Sequence, residues 1–138
     1  MTAIDIFLER VGAALVVYEV VPAGAVVGYR DSDDTIGELQ IILDADDPQE
    51  DDRLDGVYDV GAEIRMEINV GDHDDLTLRR DMLGSIETAM RDDLMAAVIE
   101  AASDVQVYDI SVDGATWQSE GRYVIGKVRY NAKFSAAG

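Results

Sequence analysis

Chemistry needs particular side chains at particular spacings, and this sequence offers few of them. Its single histidine, His73, lies between Asp72 and Asp74. A neighbouring carboxylate favours imidazolium, and a neutral imidazole binds divalent metals, so the triplet has the residue types of a base or a ligand cluster. Consecutive residues in a turn rarely converge on one ion, however. No second histidine and no cysteine exist to complete a common transition-metal set. The segment DADDPQEDDRLD begins like a calcium loop, with Asp44 and Asp46 as the first two ligands. Gln49 stands where such a loop needs glycine and Asp55 where it needs glutamate, so a solvated acidic loop is expected instead. Among 29 Asp and Glu residues some pair always meets the spacing a glycosidase requires, and none is singled out. The sequence has no GxSxG elbow, no GxxxxGK phosphate loop, no GxGxxG after a strand and no HExxH. Ser85, the serine nearest His73 in sequence, falls on a predicted helix. A protein without catalysis, metal or cofactor is expected.

Trp117, beside Gln118 and Ser119, has two readings: an exposed anchor for a partner, or a core tryptophan closing one end of a sheet.

What the sequence does carry is charge. Its 138 residues, enough for one hydrophobic core, include 11 Lys and Arg against 29 Asp and Glu, a net charge of -18. A surface so acidic repels phosphate backbones and anionic lipid, which disfavours sequence-independent nucleic-acid binding. The absence of cysteine excludes a disulfide framework and a thiolate nucleophile. No apolar run approaches the length of a membrane span, and no signal peptide is expected. The charge is also polarised. Residues 31–75 hold 17 acids against Arg53 and Arg65, whereas residues 121–138 hold no acid and four bases, Arg122, Lys127, Arg129 and Lys133. Such polarity suits internal pairing, a solvated acidic face, or head-to-tail association of copies.

The elements that must position these charges follow from periodicity. Ile4, Phe7, Leu8, Val11 and Leu15 predict an amphipathic helix over 3–15, and Val16 to Val21 reads as either a strand or an unwound helix end. Short strands are predicted at Ala25 to Tyr29 and Ile36 to Leu43, with an acidic loop from about 44 to 55. Ile64, Met66, Ile68 and Val70 alternate with Glu63, Arg65, Glu67 and Asn69 in a half-buried strand over 57–70. GDHDD at 71–75 supplies acceptors for a helix start, and Leu78, Met82, Leu83, Ile86 and Met90 form that helix's stripe. Continuing it would bury Asp93, so a break is predicted near Asp92, followed by a short helix with Leu94, Ala97, Val98 and Ala101 inward. Val105 to Val112 predicts a strand ending at an Asp113-Gly114 turn. The last strand, about 122–134, places Val124, Val128, Tyr130 and Phe134 on one face and Lys127, Arg129 and Lys133 on the other. The expectation is one α+β domain over 1–138, with a mostly antiparallel sheet packed on a central helix, an N-terminal helix and a C-terminal β-hairpin.

In order and local pattern these elements resemble the tail terminator, or tail completion, proteins of lambda-like long-tailed bacteriophages. The carriers are the N-terminal helix, ELQIILD with its acidic insertion, AEIRMEINV leading through GDHDDLTL into RRDMLGSIETAMRDDL, and the hairpin VYDISVDGATWQSEGRYVIGKVRY. The pattern covers about residues 36–130, and W-x-S followed by a strand ending V-x-Y is its most particular part. The resemblance implies a virion structural protein that forms a ring, typically a hexamer, at the head-tail junction. Such a ring ends tail-tube polymerisation and presents the surface that joins the head. It implies as partners further copies of the chain, the tail tube protein and the head-side neck or connector proteins. DNA passes through the lumen without specific binding, and assembly takes place in the host cytoplasm. The interface candidates are Arg122, Lys127, Arg129 and Lys133 on one side and Asp46, Asp47, Asp51 and Asp52 on the other, with Trp117. The chain departs from the pattern in its acidity and over Val16 to Arg30, where no feature aligns. A neck or head-completion ring protein is the alternative within the class. A small acidic ligand-binding domain or enzyme, recognisable by a concave pocket with convergent polar groups, is the alternative outside it.

Overall fold

A computed structural model describes residues 2–21, 26–28, 39–51, 53, 55–69, 76–120 and 123–136. Helix α1 (Ala3–Val17) starts at a capping box. The Thr2 hydroxyl accepts the Asp5 backbone N–H at 3.3 Å, and the Asp5 carboxylate accepts the Thr2 backbone N–H at 3.1 Å. Ile6, Phe7, Val11, Ala14 and Leu15 are buried, while Ile4 and Leu8 lie half-exposed at the border of the stripe. The helix runs on to Val17, so the ambiguous run beginning at Val16 is a helix end. The Tyr18 and Glu19 N–H groups donate to the Ala14 and Val16 carbonyls, and Glu19 turns the chain with φ 59.

Six strands form one sheet: β1 (Val26–Gly28), β2 (Gln40–Ala45), β3 (Gln49–Glu50), β4 (Val57–Asn69), β5 (Val105–Glu120) and β6 (Tyr123–Ala136). Their order is β1-β2-β4-β6-β5, with β3 on the start of β4, and every pair is antiparallel except β1 with β2. Helices α2 (Leu76–Arg91) and α3 (Met95–Ile99), followed by a 3-10 turn at Glu100–Ala102, share one side of the sheet with α1. The fold is α+β, as the alternation of apolar and polar residues implies.

The core lies between the sheet and the helices. Ile64, Met66 and Ile68 of β4 and Val128, Tyr130, Ala132 and Phe134 of β6 meet Leu83, Ile86 and Met90 of α2 and the inner face of α1. Phe134 stacks on Phe7 with ring centroids 4.3 Å apart.

Three local expectations are corrected. The acidic segment is not an open loop. β2 continues to Ala45, β3 pairs with β4, and the Asp46 and Asp51 N–H groups donate to the Gly61 and Val57 carbonyls, each at 2.8 Å. Backbone bonding to β4 outweighs the like-charge repulsion, and Gly56, with φ 77, makes the turn back into β4. The break after α2 falls where the Asp93 argument placed it, and the Asp92 carboxylate accepts the Leu94 N–H at 2.8 Å. The short helix after it turns a different face inward, however. Met95 and Ile99 are buried and Leu94 is 67% exposed, because an i, i+4 pair starting one residue later reaches the core. Finally, Asp113-Gly114 is not a turn, since β5 runs through it to Glu120. Register shifts occur between Val107 and Asp109 and between Val112 and Gly114, where Gly114 takes φ 150. Each bulge adds a residue and reverses which parity faces inward, which is why alternation in this strand looked imperfect. His73, the GDHDD helix start, Val70 and the segment 29–38 lie outside the described residues.

Candidate functional site

Alternation along β4 and β6 sends every second side chain to the face opposite the helices, and three of the nine predicted interface residues, Lys127, Arg129 and Lys133, stand there. Across the strands Lys127 is opposite Arg65 and Thr116, Arg129 is opposite Glu63 and Gly114, and Lys133 is opposite Asp59 and Asp109. Lys133 does not project free. Its Nζ lies 2.8 Å from Asp51 Oδ2, and the hydrogen bond to that carboxylate holds the ammonium above the usual lysine range. Two of the predicted interface residues are thus paired with each other inside one chain. Among the described residues neither Lys127, half-buried, nor Arg129, exposed, makes an ion pair. Arg65, between them and β2, has its Nε 3.4 Å from Glu67 Oε1, and Glu67 is buried on this outer face. Arg122 and Asp52 lie outside the described residues.

Asp46 and Asp47 are both exposed and sit between two concavities. One, of about 550 Å³, is lined by Asp59, Asp109, Asn131 and Lys133 together with both aspartates. The other, of about 510 Å³, runs between α1 and β2. Ile4, Leu8, Leu43, Ala45 and Pro48 supply its apolar lining, and Asp5, Glu9 and Asp44 join Asp46 and Asp47 around it. Among the described residues no group of three or more His, Asp or Glu side chains is arranged to hold a metal ion.

Trp117 sits on the helix side of the sheet at its far end, half-buried, with the Arg80 guanidinium 5.7 Å from its ring. Directly opposite it in the ladder is Gly126, where an added Cβ would lie 3.0 Å from both Trp117 and Leu83. This placement is that of a core tryptophan closing one end of the sheet.

Sequence reasoning missed the pair that ties α1 to the start of β5. Arg10 makes a two-pronged contact with Asp104, Nε to Oδ1 at 2.9 Å and Nη2 to Oδ2 at 2.6 Å. These hydrogen bonds hold the Asp104 carboxyl below the ordinary carboxylate range. No spacing rule links residues so distant in sequence. It also missed the burial of Glu67, whose place in the alternating pattern is that of a solvated residue. The α1 capping box, Thr2-x-x-Asp5, was missed as well, although its signal lies in the local sequence.

Among the described residues no helix is long and apolar enough to cross a membrane. Neither a protein-family model nor a curated protein matches the chain.

Proposed function

We propose that this chain is a structural ring subunit of a bacteriophage head-tail junction, one that ends tail-tube growth and offers the surface to which the head joins. The observation that carries the reading is the separation of uncompensated charge onto two unlike surfaces. Lys127 and Arg129 stand without an ion pair, among the described residues, on the helix-free face, while carboxylates surround a groove beside α1. Contacts between unlike surfaces repeat around a closed ring when the rotation between copies closes, and as a filament when it does not. A net charge of -18 also suits a lumen through which DNA slides without adhering. The α+β element order and the C-terminal hairpin are those that the sequence resemblance implies.

The test is the mass of the purified protein by light scattering across concentration and salt, with electron microscopy of the large species and addition of isolated tail tubes or filled heads. Closed rings that cap tubes are expected. Rings that bind heads and ignore tubes would move the assignment to the neck, and a strict monomer indifferent to both would overturn it.

A further inference from the structure

The α1–β2 groove has a chemistry of its own. Its lining is aliphatic, with Ile4 and Leu8 of α1 half-exposed there, and among the described residues every charged one that borders it is an acid. An apolar trough with an anionic rim suits a side chain that is aliphatic along its length and cationic at its tip, which describes lysine and arginine. On the other face of the sheet Lys127 and Arg129 project from alternate positions of β6, and Arg65 stands directly across from Lys127. Like charges facing each other across a ladder are unfavourable, and whereas Arg65 has Glu67 beside it, Lys127 has no ion pair among the described residues. Gly114, opposite Arg129, and exposed Thr116, opposite Lys127, place no large side chain beside either cation on the neighbouring strand.

We infer that the α1–β2 groove receives the Lys127 and Arg129 stripe of a second copy of this chain. The inference rests on the ring reading and names its subunit contact. Leu43 and Ala45 place the groove on the helix side of the sheet, and the stripe lies on the opposite face, so one subunit cannot join its own two surfaces. The contact is therefore between copies and heterologous, the type that propagates around a ring. Within each copy the Asp51 to Lys133 pair keeps the remaining described cation of β6 out of the contact.

A chain without cysteine permits a clean test. Subunits carrying Glu9→Cys, at the exposed rim of the groove, are mixed with subunits carrying Thr116→Cys, beside the stripe, and treated with a short bis-maleimide. Cross-linking is expected in the assembled mixture and not in either variant alone. In parallel, Arg129→Glu and Asp47→Arg are each expected to lower the assembled fraction about tenfold in low salt and less in high salt, and the double variant to restore it. Circular dichroism of each variant separates loss of contact from loss of fold. Rings that persist in both single variants and never cross-link in the mixture would overturn the groove contact and leave the ring reading standing. Wild-type protein that forms no ring under any condition, with or without tubes and heads, overturns the ring reading and this contact together. A monomer whose groove captures a Lys- and Arg-rich peptide would also overturn the contact between copies.

Discussion

The two faces of β4 and β6 are made by the same strands from alternate residues, yet they differ in kind. On the helix side Ile64, Met66, Val128, Tyr130 and Phe134 are each at most 1% exposed. On the outer face the same stretches place Glu63, Arg65, Lys127 and Arg129, with Glu67, Ile125 and neighbouring Ile42 buried beside them. The inner face accounts for stability, since burying a large apolar side chain contributes about 1.5–3 kcal/mol. The outer face is where charges without partners can exist, because water solvates them until another surface replaces it. On the ring reading proposed above, the difference separates two jobs along one pair of strands: holding the subunit together and offering it to a neighbour.

The sharpest break of that division is Phe134→Ala. Phe134 is fully buried and stacked on Phe7, so its truncation removes the main aromatic link between α1 and β6. A loss of about 3–5 kcal/mol in urea unfolding is expected, and a loss below about 1 kcal/mol would mean that α1 does not depend on this contact. Next in size is Gly126→Ala. The new methyl would lie 3.0 Å from both Leu83 methyls and from the Trp117 ring, so Leu83 and Trp117 must shift to admit it. A loss of about 1–3 kcal/mol is expected. The same substitution at Gly84, in exposed α2 with nothing within 4 Å of the new atom, should instead gain about 0.5–1 kcal/mol.

Tyr130→Phe tests the inner face with the opposite sign. The Tyr130 hydroxyl is buried and makes no hydrogen bond among the described residues, and burial pushes its pKa up. Removing one oxygen while keeping the ring should raise stability by about 1 kcal/mol, because the desolvation penalty goes and no hydrogen bond is lost. A thermal midpoint below wild type would show instead that the hydroxyl is bonded.

Much of this contrast was legible in the residues. Alternation read over 57–70 and about 122–134 assigned both faces correctly among the described residues, because side chains in a strand take opposite sides at a period of two. β5 resisted because its bulges change the period twice, and no residue type announces the one at Tyr108. The phase of α3 was lost because five residues hold too little periodicity to distinguish Leu94 from Met95. Of the candidate site, the cations on the outer face were readable, while the capture of Lys133 by Asp51 and the groove beside α1 depend on tertiary placement alone.

A smaller effect, set by pH, concerns the rim of the helix layer. Asp104 is held below its ordinary pKa by Arg10, so the pair stabilises the fold fully above the usual carboxylate pKa. That contribution is lost as pH falls through the depressed value in the folded state. Asp104→Asn should therefore lower the urea midpoint modestly at neutral pH, with the gap to wild type closing in strong acid. Equal gaps at neutral and strongly acidic pH would show that the loss comes from packing rather than from the ion pair.

The smallest expected effect on the subunit is also the most informative about the comparison. Replacing Lys127 and Arg129 together with glutamine removes the two outer-face cations that make no ion pair among the described residues, while keeping polar side chains and β4–β6 pairing. Subunit stability, measured below the concentration at which copies associate, should stay within about 0.5 kcal/mol of wild type, as for most surface substitutions. Association of copies should weaken in low salt, where exposed charges act over the longest distance. A large loss of subunit stability would place these cations in the internal architecture and erase the division between the faces. Unchanged stability with unchanged association would leave the division intact and move the contact between copies elsewhere on the molecule.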